Sequence, residues 1–161
     1  MRSTARRSRS SPTSSSDSVE YLTISHVRDI VHALVTRNLT ATEPMPAWGT
    51  VDLPRLEAAL AAPRHAGFGV EFYPELADKT AILLYGIAKG HAWANGNKRM
   101  AFISTLVFLG LNERWWDFEG GEAHDLVVWV ASSEARLSKE VVAYLNGYFR
   151  RRITIVTPPA S

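Results

Sequence analysis

Hydrophobic positions in this chain recur mostly at three- and four-residue spacing, in blocks separated by proline, glycine and short polar runs. That is the pattern of helices joined by loops. Thr23 or Ser25 can cap a first helix running to about Asn38, with Ile24, Val27, Ile30, Val31, Leu34 and Val35 on one face. Residues 40–50 hold threonines, prolines and a glycine and read as a loop. Asp52-Leu53-Pro54 opens a short helix, with proline in its first turn and Leu56 and Leu60 as anchors. Pro63 to Gly69 is a breaker region, and Val70-Glu71-Phe72-Tyr73 reads as a short extended flap.

The stronger helices follow. Pro74 starts one in which Leu76, Thr80, Leu83, Leu84 and Ile87 share a face, and Lys89-Gly90 ends it with a cation and a terminal glycine. After the segment HAWANGNKR, Met100 to Leu109 is apolar almost all round, which predicts a helix buried at the centre, stopped by Gly110. Residues 122–133 and 139–151 supply two further helices, the second closing on Arg150-Arg151-Arg152, where cations suit the negative helix end. No internal repeat or strand-rich region interrupts the pattern. The expected fold is all-α, a compact bundle.

Composition narrows the function. The chain has 161 residues, 46% hydrophobic and 21% charged, as an ordinary globular protein has. Its longest apolar run is about half the ~20 residues a membrane helix requires, so no membrane partner is expected. Cysteine is absent, which removes disulfides, thiolate metal sites and a cysteine nucleophile, and fits a cytoplasmic protein. The sequence pI is about 9.1, but the excess charge is local. Arg2, Arg6, Arg7 and Arg9 against Asp17 put +3 into residues 1–18; since the whole chain is +2, the remainder stands at −1. A nucleic-acid partner is therefore not expected of the folded part. Residues 1–18 read as a disordered Arg/Ser-rich tail without the apolar block of a secretory signal, 19–156 as one domain, and 157–161 as a disordered C-terminus.

Between the two best helices lies a segment that packing does not account for. His91, Asn95, Gly96, Asn97, Lys98 and Arg99 crowd into nine residues ahead of a buried helix. The first N–H groups of a helix lack intrahelical partners and bind anions, and glycine lets a backbone approach a ligand closely. Lys98 and Arg99 add charge suited to polyphosphate, Asn97 can donate or orient through its amide, and His91 is a candidate general base. The spacing is not that of a Walker A loop.

His91-Ala92-Trp93-Ala94-Asn95-Gly96-Asn97-Lys98-Arg99 resembles the Fic-motif loop of the Fic/Doc superfamily, in its Doc form His-x-Phe-x-Asp-(Ala/Gly)-Asn-Lys-Arg. The resemblance extends over about residues 20–150. It implies phosphoryl or nucleotidyl transfer from a nucleotide to a protein hydroxyl, with ATP and magnesium as cofactors. His91 would take the proton of the target hydroxyl. Gly96 and Asn97 would hold phosphate oxygens, and Lys98 and Arg99 would neutralise the triphosphate. AMP-transferring relatives carry glycine at the place of Lys98; Doc-like proteins carry lysine there and phosphorylate a threonine of elongation factor Tu. The analogy implies a toxin that halts translation, a Ser/Thr-bearing protein target and a cognate antitoxin. No Ser/Thr-x-x-x-Glu-Gly/Asn stretch resembles the family's inhibitory helix, so inhibition is expected from another chain.

Two positions depart from the family pattern. Trp93 replaces phenylalanine and is expected in the core. Asn95 stands where the family has its magnesium-binding acid, and offers an amide oxygen without charge. An AMP-transferring enzyme and a catalytically weakened binding protein are the alternatives. Ahead of the pre-loop helix, the family has a flap that aligns the target. Phe68, Gly69 and Val70 are its candidates here, against a plain connecting loop. Trp115-Trp116 is expected to seal the core edge, and Glu119, Glu122 and Asp125 to form a solvated acidic face.

Overall fold

A computed structural model describes residues 18–37 and 42–156. The tail assigned to residues 1–18 lies almost wholly outside the described residues, and so does 157–161. Six helices account for most of what is described: α1 (Ile24–Thr36), α2 (Leu53–Ala61), α3 (Leu76–Gly90), α4 (Asn97–Leu111), α5 (Glu122–Ser132) and α6 (Ser138–Arg152). Two short antiparallel strand pairs complete them, β1 (Ala66–Gly67) with β2 (Val70–Glu71) and β3 (Arg114–Trp116) with β4 (Ile153–Ile155). The fold is all-α in class.

Helix α3 is the hub, packed against α2, α4, α5 and α6, and α4 runs beside it with α1, α5 and β3 around it. The burial of Met100, Ala101, Ser104, Thr105, Phe108 and Leu109 agrees with the all-round apolar character of α4. The helix exceeds its expected bounds at both ends. It starts at Asn97, and Gly110 lies inside its last turn rather than stopping it.

Several ends are set by side chains. Thr23 caps α1 by accepting from the His26 N–H, while His26 Nδ1 accepts the Thr23 N–H in return. Val27, Val31 and Leu34 face inward as expected, but Val35 is half exposed. Glu75 is the N-cap of α3 and shares a reciprocal capping box with Asp78. Arg150 bridges to both Glu75 and Asp78, fastening the end of α6 to the start of α3. Glu122 is not a freely solvated acid, because Arg152 reaches it at 2.9 Å. The terminal arginines of α6 thus serve tertiary ion pairs, not only the helix dipole.

The β3–β4 pair was not expected from the sequence. It registers Trp116 opposite Ile153 and Trp115 opposite Thr154, so the alternation of a strand sends Trp116 inward and Trp115 to solvent. Trp116 is fully buried, stacks edge-on against Phe118 and Phe149, and donates its indole N–H to the Tyr148 hydroxyl at 3.1 Å.

Candidate active site

The α3–α4 connection is shaped by four hydrogen bonds and two left-handed residues. His91, not Gly90, ends α3 in the left-handed conformation, with φ 50° and ψ 42°. A non-glycine residue there is uncommon and must be held by its surroundings. The start of α2 brackets it: Arg55 Nη1 donates to the Gly90 carbonyl at 3.4 Å, and the Asp52 N–H donates to the Ala92 carbonyl at 2.8 Å. Further along, the Asn97 side chain accepts from the Trp93 N–H at 3.1 Å and donates to the Trp93 carbonyl at 2.8 Å. Asn97 therefore spends one donor and one acceptor on holding the loop, a role that the phosphate assignment did not include.

Gly96 caps α4 with φ 83°, a conformation that favours glycine, and no side chain caps the N–H groups behind it. A Cβ at Gly96 would stand 2.7 Å from Met45 Sδ. Met45 is buried, and its sulfur also receives Arg99 Nη1 at 3.7 Å. Glu43 Oε2 lies 3.7 Å from Arg99 Nη2. The segment expected as a plain loop thus lays Glu43 and Met45 against the start of α4.

These residues open onto one cavity of about 840 Å³. His91, Asn95, Gly96, Asn97, Lys98 and Arg99 all line it. His91, Asn95 and Lys98 are exposed there, and Trp93 is buried beneath as expected, its indole N–H without an acceptor among the described residues. Phe68, Gly69 and Val70 do not line the cavity. Phe68 and Gly69 form instead the tip of the β1–β2 hairpin, both at positive φ as a type I′ turn requires, and Val70 begins β2 opposite Gly67. Phe68 is fully exposed, and the buried Lys79 of α3 holds the hairpin down by donating to Glu71 at 3.2 Å and to the Pro63 carbonyl at 3.3 Å.

Sequence reasoning missed two parts of the site. One is Glu43, for which the loop composition gave no signal. The other is the far wall, built by α5, which was legible as a helix but not as a cavity wall. Lys89 positions that wall by donating to the Ala131 and Ser133 carbonyls at the end of α5.

Magnesium sites generally rest on one or two carboxylates together with phosphate oxygens and waters. Glu43 is the single carboxylate on the cavity lining, Asn95 adds an amide oxygen, and no group of three His, Cys, Asp or Glu suited to a metal occurs among the described residues. This donor set fits a metal ion that arrives on a polyphosphate, with Asn95 and Glu43 as supplementary oxygens. It does not fit an all-protein cage.

A family model described as the Fic/DOC family matches residues 21–109, from just before α1 to within α4. Toxin Doc of Mycolicibacterium smegmatis (strain ATCC 700084 / mc(2)155) is 39% identical over 95 residues, which are 58% of this chain and 72% of that protein. No solved structure matches. No helix among the described residues is long and apolar enough to cross a membrane.

Proposed function

This chain belongs to the Fic/Doc family, and on that premise we propose that it is a Doc-like toxin of the cytoplasm. In this reading it transfers a phosphoryl group from ATP to a Ser/Thr hydroxyl of a protein target, by analogy a threonine of elongation factor Tu, and so inhibits translation. Residues 19–156 are the working domain, and a cognate antitoxin restrains it.

The observation that carries the reading is the single cavity shared by His91 and by the uncapped start of α4 with Lys98 and Arg99. A triphosphate laid across Gly96 meets free N–H groups and two cations, which stabilise charge on the phosphoryl oxygens and the departing diphosphate. In this reading His91, at the opposite end of the loop, takes the proton of an incoming hydroxyl while the hydroxyl oxygen attacks the terminal phosphorus; ADP then leaves. Magnesium would neutralise phosphate charge when bound, with Asn95 and Glu43 as the protein oxygens nearest that task. The fully exposed Phe68 at the hairpin tip suits contact with the target protein.

Lys98 favours phosphoryl over nucleotidyl transfer, whereas Asn95 favours a weakened, binding-only homologue. Incubation with elongation factor Tu and ATP labelled at the γ- or α-phosphate separates the three. Transfer of γ-label, lost in His91→Ala, supports the kinase; transfer of α-label replaces it with nucleotidyl transfer. No transfer under conditions where ATP binds leaves the binding-only reading.

A further inference from the structure

The cavity has two chemically different walls, and the reaction above uses only one. Across from the loop, α5 presents Ala123, Val127, Val128 and Ala131, with Phe102 of α4 and Phe118 beside them. Two polar side chains stand on this wall, Ser132 and His124, and each has a contact within α5. The Ser132 hydroxyl donates to the Val128 carbonyl at 2.9 Å, and His124 Nδ1 lies 3.2 Å from Asp125 Oδ1. At the end of α5, Lys89 takes the Ala131 carbonyl. Apart from Ser132 and the exposed His124 ring, the lining that α5 contributes is apolar.

We propose that this α5 wall is the base subsite of the nucleotide and that it holds the base by burial without reading its identity, so that the protein accepts nucleoside triphosphates of all four common bases. The inference rests on the reading that the loop binds the triphosphate. A chain that anchors polyphosphate at Lys98 and Arg99 leaves the nucleoside to extend into the rest of the same cavity, where the available surface is apolar. Sites that reject one base for another do so by pairing with its polar edge, leaving a wrong partner unsatisfied; an apolar wall discriminates only weakly through shape. Here the edge of the base faces solvent or the rim, and the rings lie on Val128 and the phenylalanines.

Calorimetric competition on the full chain tests this with ATP, GTP, CTP, UTP and inorganic tripolyphosphate, each with magnesium. The expected result is four affinities within about tenfold of one another, all at least about tenfold tighter than tripolyphosphate. Val128→Asn, at a partly exposed position, should weaken all four about equally and leave tripolyphosphate unchanged, with the melting temperature as the folding control. A preference of about a hundredfold or more for one base overturns the proposal. Tripolyphosphate binding as tightly as the nucleotides also overturns it, while leaving the phosphate reading intact. Failure of every ligand, tripolyphosphate included, removes the phosphate reading and this inference with it.

Discussion

The carboxamide of Asn97 grips the backbone of Trp93 at both of its ends, accepting at 3.1 Å and donating at 2.8 Å. Four residues of loop are thereby closed onto the first turn of α4, and the cradle around Gly96 is fixed before any ligand arrives. Asn97→Ala removes both bonds and leaves two backbone groups in need of partners, at a cost of about 1–3 kcal/mol. Urea unfolding should show that loss, and calorimetry a matching drop in nucleotide affinity. An alanine variant with both quantities unchanged would show that the loop holds its shape by other means.

The hairpin is expected to be a separately adjustable part. Lys79 is buried, its ammonium lies 5.5 Å over the Tyr21 ring, and it joins the hairpin to α3 through the half-exposed Glu71. Lys79→Met removes a buried charge and leaves its carboxylate partner in water, so global stability should change by only about 1–2 kcal/mol, in either direction. The hairpin loses its tether. Hydrogen exchange at the Phe72 amide, bonded to the His65 carbonyl at 2.9 Å, should accelerate much more than exchange in α3. Equal protection in both proteins would sink the tethering role.

The helices were legible because their signals are local: caps at Thr23 and Asp52, and apolar stripes that need only one turn of context. The loop was legible for the same reason, since its chemistry is packed into nine consecutive residues. What escaped depends on distant partners. Arg114–Trp116 and Ile153–Ile155 are each three residues long, and neither reads as a strand until the other lies beside it. The helix was expected to end on Gly90, but the left-handed residue is His91, where α2 braces the carbonyls on both sides. Glu43 entered the site only because the chain before α2 folds back over Arg99.

The aromatic cluster gives an alkaline limit to stability. Burial, the largest cause, raises the Tyr148 phenol above its ordinary value of 10.0, and the hydrogen bond from Trp116 offsets this in part. The folded state therefore prefers the protonated phenol. Its contribution is fully present below the unfolded value and is lost as pH rises through and beyond it. Urea unfolding at about pH 8 and about pH 11 should show a fall that Tyr148→Phe reduces, although that variant starts lower because the Trp116 N–H loses its acceptor. The same fall in both proteins would assign the alkaline sensitivity elsewhere.

Asn95 carries the sharpest prediction, because it decides how the site meets a metal. With Glu43 already 3.7 Å from Arg99, the cavity has one carboxylate among the described residues, and that one is partly answered by a cation. Asn95→Asp adds a charge at the loop position that the family gives to its metal. If magnesium-nucleotide is the ligand, the variant should bind it about one to two decades more tightly, the equivalent of about 1–3 kcal/mol for a charge-assisted contact. Without magnesium the same variant should bind nucleotide more weakly, because a bare carboxylate repels phosphate. Glu43→Gln supplies the counterpart: loss of its charge should strengthen metal-free binding by freeing Arg99, and weaken the response to magnesium if Glu43 contributes an oxygen. The competing account has Asn95 acting only as a polar residue ahead of α4, where Asn and Asp are close equivalents. It predicts the same dependence on magnesium in Asn95→Asp as in the original chain, and that result would remove Asn95 from the metal site.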